Sequence, residues 1–168
     1  MYHDNDVLST EKIVENFSRF EKLCAKLGKR SIPISTMLTE IGERLAVAPA
    51  SSRRDYHAAY PGGLVEHTLR VAQYALTLKR AVKLFDDITD ESVIFSALFH
   101  DIGKVGLPGR DGADFYVHEE NNWQREKLGK FYKINDEDQR MSNIDCTFML
   151  LMHYDIHPTR DEMLAIRL

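Results

Sequence analysis

The chain has 168 residues, a length that suits one domain over residues 1–168 with a core that needs no disulfide or structural metal. Its 22 basic and 26 acidic residues give a formal net charge of -4, which argues against stable binding of duplex DNA by general electrostatics. Cys24 and Cys146 are far apart in apolar patterns and predict reduced thiols. Without a signal peptide or an apolar run long enough to span a membrane, we expect a soluble cytoplasmic protein that does not associate with membranes.

Four helices are predicted in the first hundred residues. The predicted starts are Ser9 or Thr10 for the first, the residues after Pro33 for the second, the break 61–63 for the third, and Thr89 or Asp90 for the fourth. The third helix has an apolar stripe from Leu64 to Phe85, and His67 lies one position off that stripe. The fourth is apolar on almost every side between Val93 and Phe99, which predicts the central, most buried helix.

The second half begins with a glycine-rich loop over residues 103–112, and a further helix is predicted over residues 123–132. The segments 142–145 and 159–162 have the form of capping boxes, which predict two more helices. No useful length of sequence alternates with period two. We therefore predict an all-α fold, a single compact helical bundle.

The predicted central helix ends in His100 and Asp101, followed by Lys104. A histidine and a carboxylate at the end of an apolar helix would both lose hydration on folding, and a bound cation could compensate them. An His-Asp dipeptide also occurs by chance, and a core histidine bonded to its neighbour is the alternative explanation. The surrounding sequence decides between a metal site and a hydrogen-bonded core histidine.

Two segments together resemble the HD superfamily of metal-dependent phosphohydrolases, namely 100–104 (HDIGK) and 57–67 (HAAYPGGLVEH). The segment 57–67 is similar to the corresponding motif of the exoribonuclease-like branch. Weaker similarity at 123–129 and 162–166 is to HD proteins of tailed phages, which would act in the host cytoplasm. The resemblance implies a helical HD domain in which His67, His100 and Asp101 bind a divalent metal ion.

The residue types fit several ions, namely Mn²⁺, Fe²⁺, Co²⁺, Ni²⁺, Zn²⁺ or Mg²⁺, and do not choose among them. The HD pattern closes with a distant aspartate, for which Asp145 is the candidate, although Asp145 also stands third in a capping box. HD proteins of this kind continue beyond the segment 162–166, so either the chain is a shortened form or Asp145 has the closing role.

Further candidates surround this set. Lys104 would share a helical face with His100 and Asp101 and hold a phosphate oxygen, unless it is a solvated helix end. Three residues before the third helix could line a substrate pocket, namely Arg54, His57 and Tyr60. The alternative is that they pack within their loop or face the solvent. His118, Glu119 and Glu120 could supply a second-metal ligand, but a solvent-facing polar run is the favoured interpretation.

The predicted function is hydrolysis of a phosphate ester or anhydride in a nucleotide by metal-activated water, with Asp101 and Lys104 as catalytic residues. One alternative is 3′→5′ exonuclease action on short single-stranded nucleic acid. Another, from a different class, is a catalytically silent HD module that binds a nucleotide or a partner protein. The sequence does not identify the substrate or the oligomeric state.

Overall fold

The computed structural model describes residues 7–82, 87–108, 114–135 and 141–168. Within these ranges there are seven α-helices, which are α1 (Thr10–Cys24), α2 (Ser31–Val47), α3 (Gly63–Ala81), α4 (Asp90–Phe99), α5 (Asn122–Leu128), α6 (Asn143–His153) and α7 (Arg160–Arg167). Two 3-10 turns, Gly28–Arg30 and Ile102–Val105, and two short strands, β1 (Tyr116–His118) and β2 (Tyr132–Ile134), complete the elements. The fold is mostly helical, which confirms the predicted class.

The helix starts follow the side-chain caps in the sequence. Ser9, Thr89, Ser142 and Thr159 each accept a hydrogen bond from a backbone N–H in the first turn of α1, α4, α6 and α7. Such a cap satisfies a donor that has no partner within the helix. Pro33 lies in the first turn of α2, where its missing N–H costs nothing, so α2 begins at Ser31 rather than after Pro33.

α4 lies at the centre of the bundle, as predicted. It packs against α3, α7 and α1, and Phe95, Leu98 and Phe99 are fully buried. α3 follows its predicted stripe only in part, because Leu64 and Thr68 are buried whereas Leu78 is 57% exposed. The predicted continuation of this stripe to Phe85 lies outside the described residues.

The helix predicted over 123–132 is wrong in its second half. α5 ends at Leu128 because Gly129 has a φ of +58°, a left-handed conformation that closes a helix. The chain then forms β2, which pairs antiparallel with β1. Strands of three residues are too short to give a period-two pattern, so the sequence did not reveal this two-stranded sheet.

The segment between β1 and β2 is attached to the loop that precedes α3. The backbone N–H of Arg54 donates to the Gly129 carbonyl at 2.8 Å, and that of Phe131 donates to the Ser52 carbonyl at 3.0 Å. The end of α5 and the residues before β2 therefore pack against the loop a few residues before His57. Among the helices in the described ranges, none has the length and apolar character required to cross a membrane.

Candidate metal centre

α3 and α4 bring the three predicted ligands to one point. His67 lies on the second turn of α3, His100 caps the end of α4, and Asp101 follows it. A glycine is required at the start of α3. A Cβ on Gly63 would lie 2.1 Å from the Ala58 carbonyl oxygen, so only glycine allows this close approach. Gly62, with a φ of +81°, makes the turn into the helix.

The ligand atoms of the three residues converge. His67 Nε2 lies 3.1 Å from His100 Nε2 and 3.6 Å from Asp101 Oδ2, and His100 Nε2 lies 3.4 Å from the same oxygen. A cation with ligand distances of about 2.1 Å holds adjacent ligand atoms roughly 3.0–3.4 Å apart. The observed spacing is therefore close to that required to bind one divalent ion.

The orientation of His100 is set by the other nitrogen of its ring. His100 Nδ1 lies 2.8 Å from the Ala97 carbonyl oxygen, which can only accept, so Nδ1 is the donor. In a neutral imidazole this arrangement leaves a lone pair on Nε2, the atom that faces His67 and Asp101. Metal-binding histidines are commonly oriented by such a hydrogen bond.

His57 joins the group from the preceding loop. Its ring centroid is 4.2 Å from that of His67, and ligand atoms of His57, His67 and Asp101 all lie within 4.8 Å of one another. Burial lowers the pKa of His67 to about 4, and it also lowers the pKa of the more exposed His57. Both rings are therefore neutral at neutral pH, the form that binds a metal.

Asp101 is held on both of its oxygens. Lys104 Nζ donates to Oδ2 at 2.7 Å, and Asn143 Nδ2 donates to Oδ1 at 2.7 Å. Burial raises the pKa of Asp101, but its interactions with His100 and with the charge of Lys104 outweigh burial and hold the pKa below its ordinary value. The carboxylate is thus ionised. Together with the three histidine rings, it forms a group that can bind one cation.

The sequence comparisons agree with this geometry. A family model described as HD domain matches residues 64–158, more than half of the chain. The chain belongs to the HD-domain family. The matched region includes His67, His100, Asp101 and Lys104. A search of the curated proteins and a search of the solved structures each found no match.

Lys104 lies beside the HD dipeptide rather than on the surface. Its side chain is 12% exposed, and its ammonium donates to the Ala50 carbonyl at 2.7 Å as well as to Asp101. An ammonium has three donors, so these two contacts leave one for a phosphate oxygen. The alternative of a solvated helix end does not fit this burial.

Other predicted substrate residues have partners away from the ligand group. The Tyr60 hydroxyl donates to Glu66, and the Arg54 guanidinium lies 5.3 Å from the centroid of the Phe131 ring. Asp145 is exposed and accepts a hydrogen bond from Ser142 Oγ at 2.7 Å, within the cap of α6. The structure therefore does not bring Asp145 together with His57, His67 and Asp101.

The polar run after β1 is divided. His118 and Glu120 are exposed, as the favoured interpretation expected. Glu119 is only 6% exposed, and its carboxylate lies 3.2 Å from Lys130 Nζ and accepts from the Asn121 backbone N–H at 3.1 Å. These contacts connect β1 to α5 and β2 and give Glu119 a structural partner.

Sequence reasoning missed Asn143. It is the first residue of α6, between the cap Ser142 and the candidate Asp145, and no motif distinguished it. Its contact with Asp101 joins residues 42 positions apart and depends on how α6 packs.

Proposed function

We propose that this HD domain is a metal-dependent hydrolase of a phosphate ester or anhydride in a nucleotide. The observation that carries the proposal is the convergence of His67, His100 and Asp101, whose ligand atoms are 3.1–3.6 Å apart. His57 is the fourth candidate ligand, because it is the further side chain that approaches this group. A set of imidazoles with one carboxylate suits Mn²⁺, Fe²⁺, Co²⁺, Ni²⁺ and Zn²⁺ better than Mg²⁺, which prefers oxygen ligands.

A divalent ion in this site would lower the pKa of water towards neutrality and offset the negative charge of the phosphoryl group. The protein's own residues supply the rest. His67 and His100 present ring nitrogens from two packed helices, and Asp101 contributes the negative charge that attracts the ion. The remaining donor of Lys104 holds a phosphoryl oxygen while the P–O bond to the leaving group breaks.

A cavity beside His100 supports a substrate with an organic body. It has a volume of about 900 Å³ and lies among α3, α4 and α7, with His100 on its wall. Ligand sites of small molecules occupy about 300–1,000 Å³ and are mostly apolar. The apolar part of the wall includes Val71, Ala75, Ala97, Ala165 and Ile166. The cavity adjoins the ligand group at His100, and its wall also carries the acidic residues Glu91, Asp161 and Glu162.

The test combines metal binding with a substrate panel. Purified protein is titrated with Mn²⁺ and Co²⁺, and then incubated with nucleoside mono-, di-, tri- and cyclic phosphates and with short oligonucleotides. We expect one ion per chain and release of phosphate or nucleotide from a mononucleotide. His100→Ala and Asp101→Ala should abolish both results while leaving the helical circular dichroism intact.

The panel also separates the alternatives. Stepwise release of mononucleotides from the 3′ end of an oligonucleotide, with nucleotides left unchanged, would identify an exonuclease and reject the present proposal. Nucleotide binding without any product, in the presence of bound metal, would identify a silent binding module. If the wild-type protein binds neither Mn²⁺ nor Co²⁺, the proposal of a metal site is itself rejected.

A further inference from the structure

We propose that Asn143 is a positioning residue that orients the Asp101 carboxylate for cation binding; this inference rests on the proposed function. The two oxygens of Asp101 have different surroundings. Oδ1 accepts from Asn143 Nδ2 at 2.7 Å. Oδ2 accepts from Lys104 Nζ at 2.7 Å and faces His67 and His100 at 3.6 and 3.4 Å. The Asn143 contact on Oδ1 thereby acts together with the Lys104 contact on Oδ2 to oppose rotation of the carboxylate away from the two imidazoles.

Asn143 is held in place by the packing of α6 on the turn after Asp101. A Cβ on Gly103 would lie 2.1 Å from the Asn143 carbonyl oxygen, so the two backbones are in direct contact. One turn later in α6, Thr147 Oγ1 accepts a hydrogen bond from the Gly103 backbone N–H at 2.9 Å. These two contacts fix the first turns of α6 against the segment that follows the HD dipeptide.

The oxygen of the Asn143 amide does not form a hydrogen bond like that of its nitrogen. Its Oδ1 is buried and has no hydrogen-bond partner among the described residues. The reverse orientation of the amide would place Oδ1 against the carboxylate, where two acceptors repel. The buried amide is therefore satisfied only towards Asp101. We conclude that this side chain serves the carboxylate more than it serves the stability of the fold.

A charge-assisted hydrogen bond to a ligand carboxylate affects the metal more than it affects folding. Partners of this kind typically change metal affinity ten- to a hundredfold when removed. Replacement of Asn143 by leucine keeps nearly the same shape and removes the unsatisfied oxygen together with the donor. We therefore expect a large effect on metal affinity and a small effect on thermal stability.

The experiment compares wild type, Asn143→Leu and Ser142→Ala. Ser142 caps the same helix and does not contact Asp101, so Ser142→Ala controls for weakening of the start of α6. Calorimetric titration with Mn²⁺ gives the affinity, and the visible absorption of Co²⁺ reports the geometry of the ligands. We expect roughly ten- to a hundredfold weaker Mn²⁺ binding and an altered Co²⁺ spectrum in Asn143→Leu only. Asn143→Ser is the second variant if Asn143→Leu does not fold.

Each outcome bears on a separate statement. If wild type binds Mn²⁺ and Asn143→Leu binds it equally well with the same Co²⁺ spectrum, Asn143 does not position the carboxylate. If Ser142→Ala weakens binding as much as Asn143→Leu does, the effect comes from the helix start and the inference is again rejected. If wild type binds neither ion, the proposed function fails, and the inference fails with it.

Discussion

Gly103 offers a direct test of how α6 is attached to the candidate metal centre. A Cβ at this position would lie 2.1 Å from the Asn143 carbonyl oxygen and 2.5 Å from the Thr147 backbone nitrogen. Both are backbone atoms, so they can move away only if α6 moves. Ordinary contacts of a Cβ begin at 3.4 Å, which means that Gly103→Ala displaces the start of α6 by more than a full ångström.

The cost of that displacement has two parts. Overpacking a closely fitted site costs about 1–3 kcal/mol. The hydrogen bond from Gly103 N–H to Thr147 Oγ1, at 2.9 Å, is lost as well and contributes about 1 kcal/mol. We therefore expect Gly103→Ala to lower the free energy of unfolding by about 2–4 kcal/mol, which lowers Tm by about 4–16 °C in a chain of this size.

Urea unfolding followed by circular dichroism measures this change, and Gly42→Ala is the matched control. A Cβ on Gly42, within α2, would lie 3.1 Å from the Phe17 ring, which is a side chain and can adjust. Alanine also has the better helix propensity, by about 1 kcal/mol. Gly42→Ala should therefore remain within about 1 kcal/mol of wild type. Equal stability of the two variants would refute the close backbone contact at Gly103.

Three further substitutions test the remaining contacts. Measured at saturating Mn²⁺, Lys104→Ala should lower turnover about ten- to a hundredfold, because it removes a phosphate contact worth about 1.5–3 kcal/mol; wild-type rates in steady-state kinetics would refute this role. Asp145→Asn should keep the metal stoichiometry and cost about 0.3–1 kcal/mol, the value of a charge at a helix N-terminus; loss of metal would show that Asp145 is a ligand after all. Arg30→Ala should lower the unfolding free energy by about 3–5 kcal/mol, because it removes the 2.8 Å partner of Glu162, which is 1% exposed; a loss under 1 kcal/mol in urea unfolding would contradict this.

The sequence was sufficient for most of the helices and for the grouping of His67, His100 and Asp101. The caps at Thr89 and Ser142 were readable because a capping bond joins residues three positions apart. The apolar composition of α4 predicted its central position, and the motifs around His67 and His100 indicated the family that the comparison then confirmed. These features depend on short segments of the chain, in which pattern and structure are closely linked.

Only the tertiary structure decided which side chains surround Asp101. Asn143 lies 42 residues after Asp101 and reaches it through the packing of α6. Ala50 lies 54 residues before Lys104 and reaches it through the packing of the loop before α3. The approach of His57 to His67 likewise depends on the turn at Gly62 and Gly63. Such contacts arise from the meeting of separate elements, and a single sequence carries no periodic or local signal for them. For the same reason, Asp145 was a plausible ligand by residue type, whereas the observed contact with Asp101 comes from Asn143, two residues earlier.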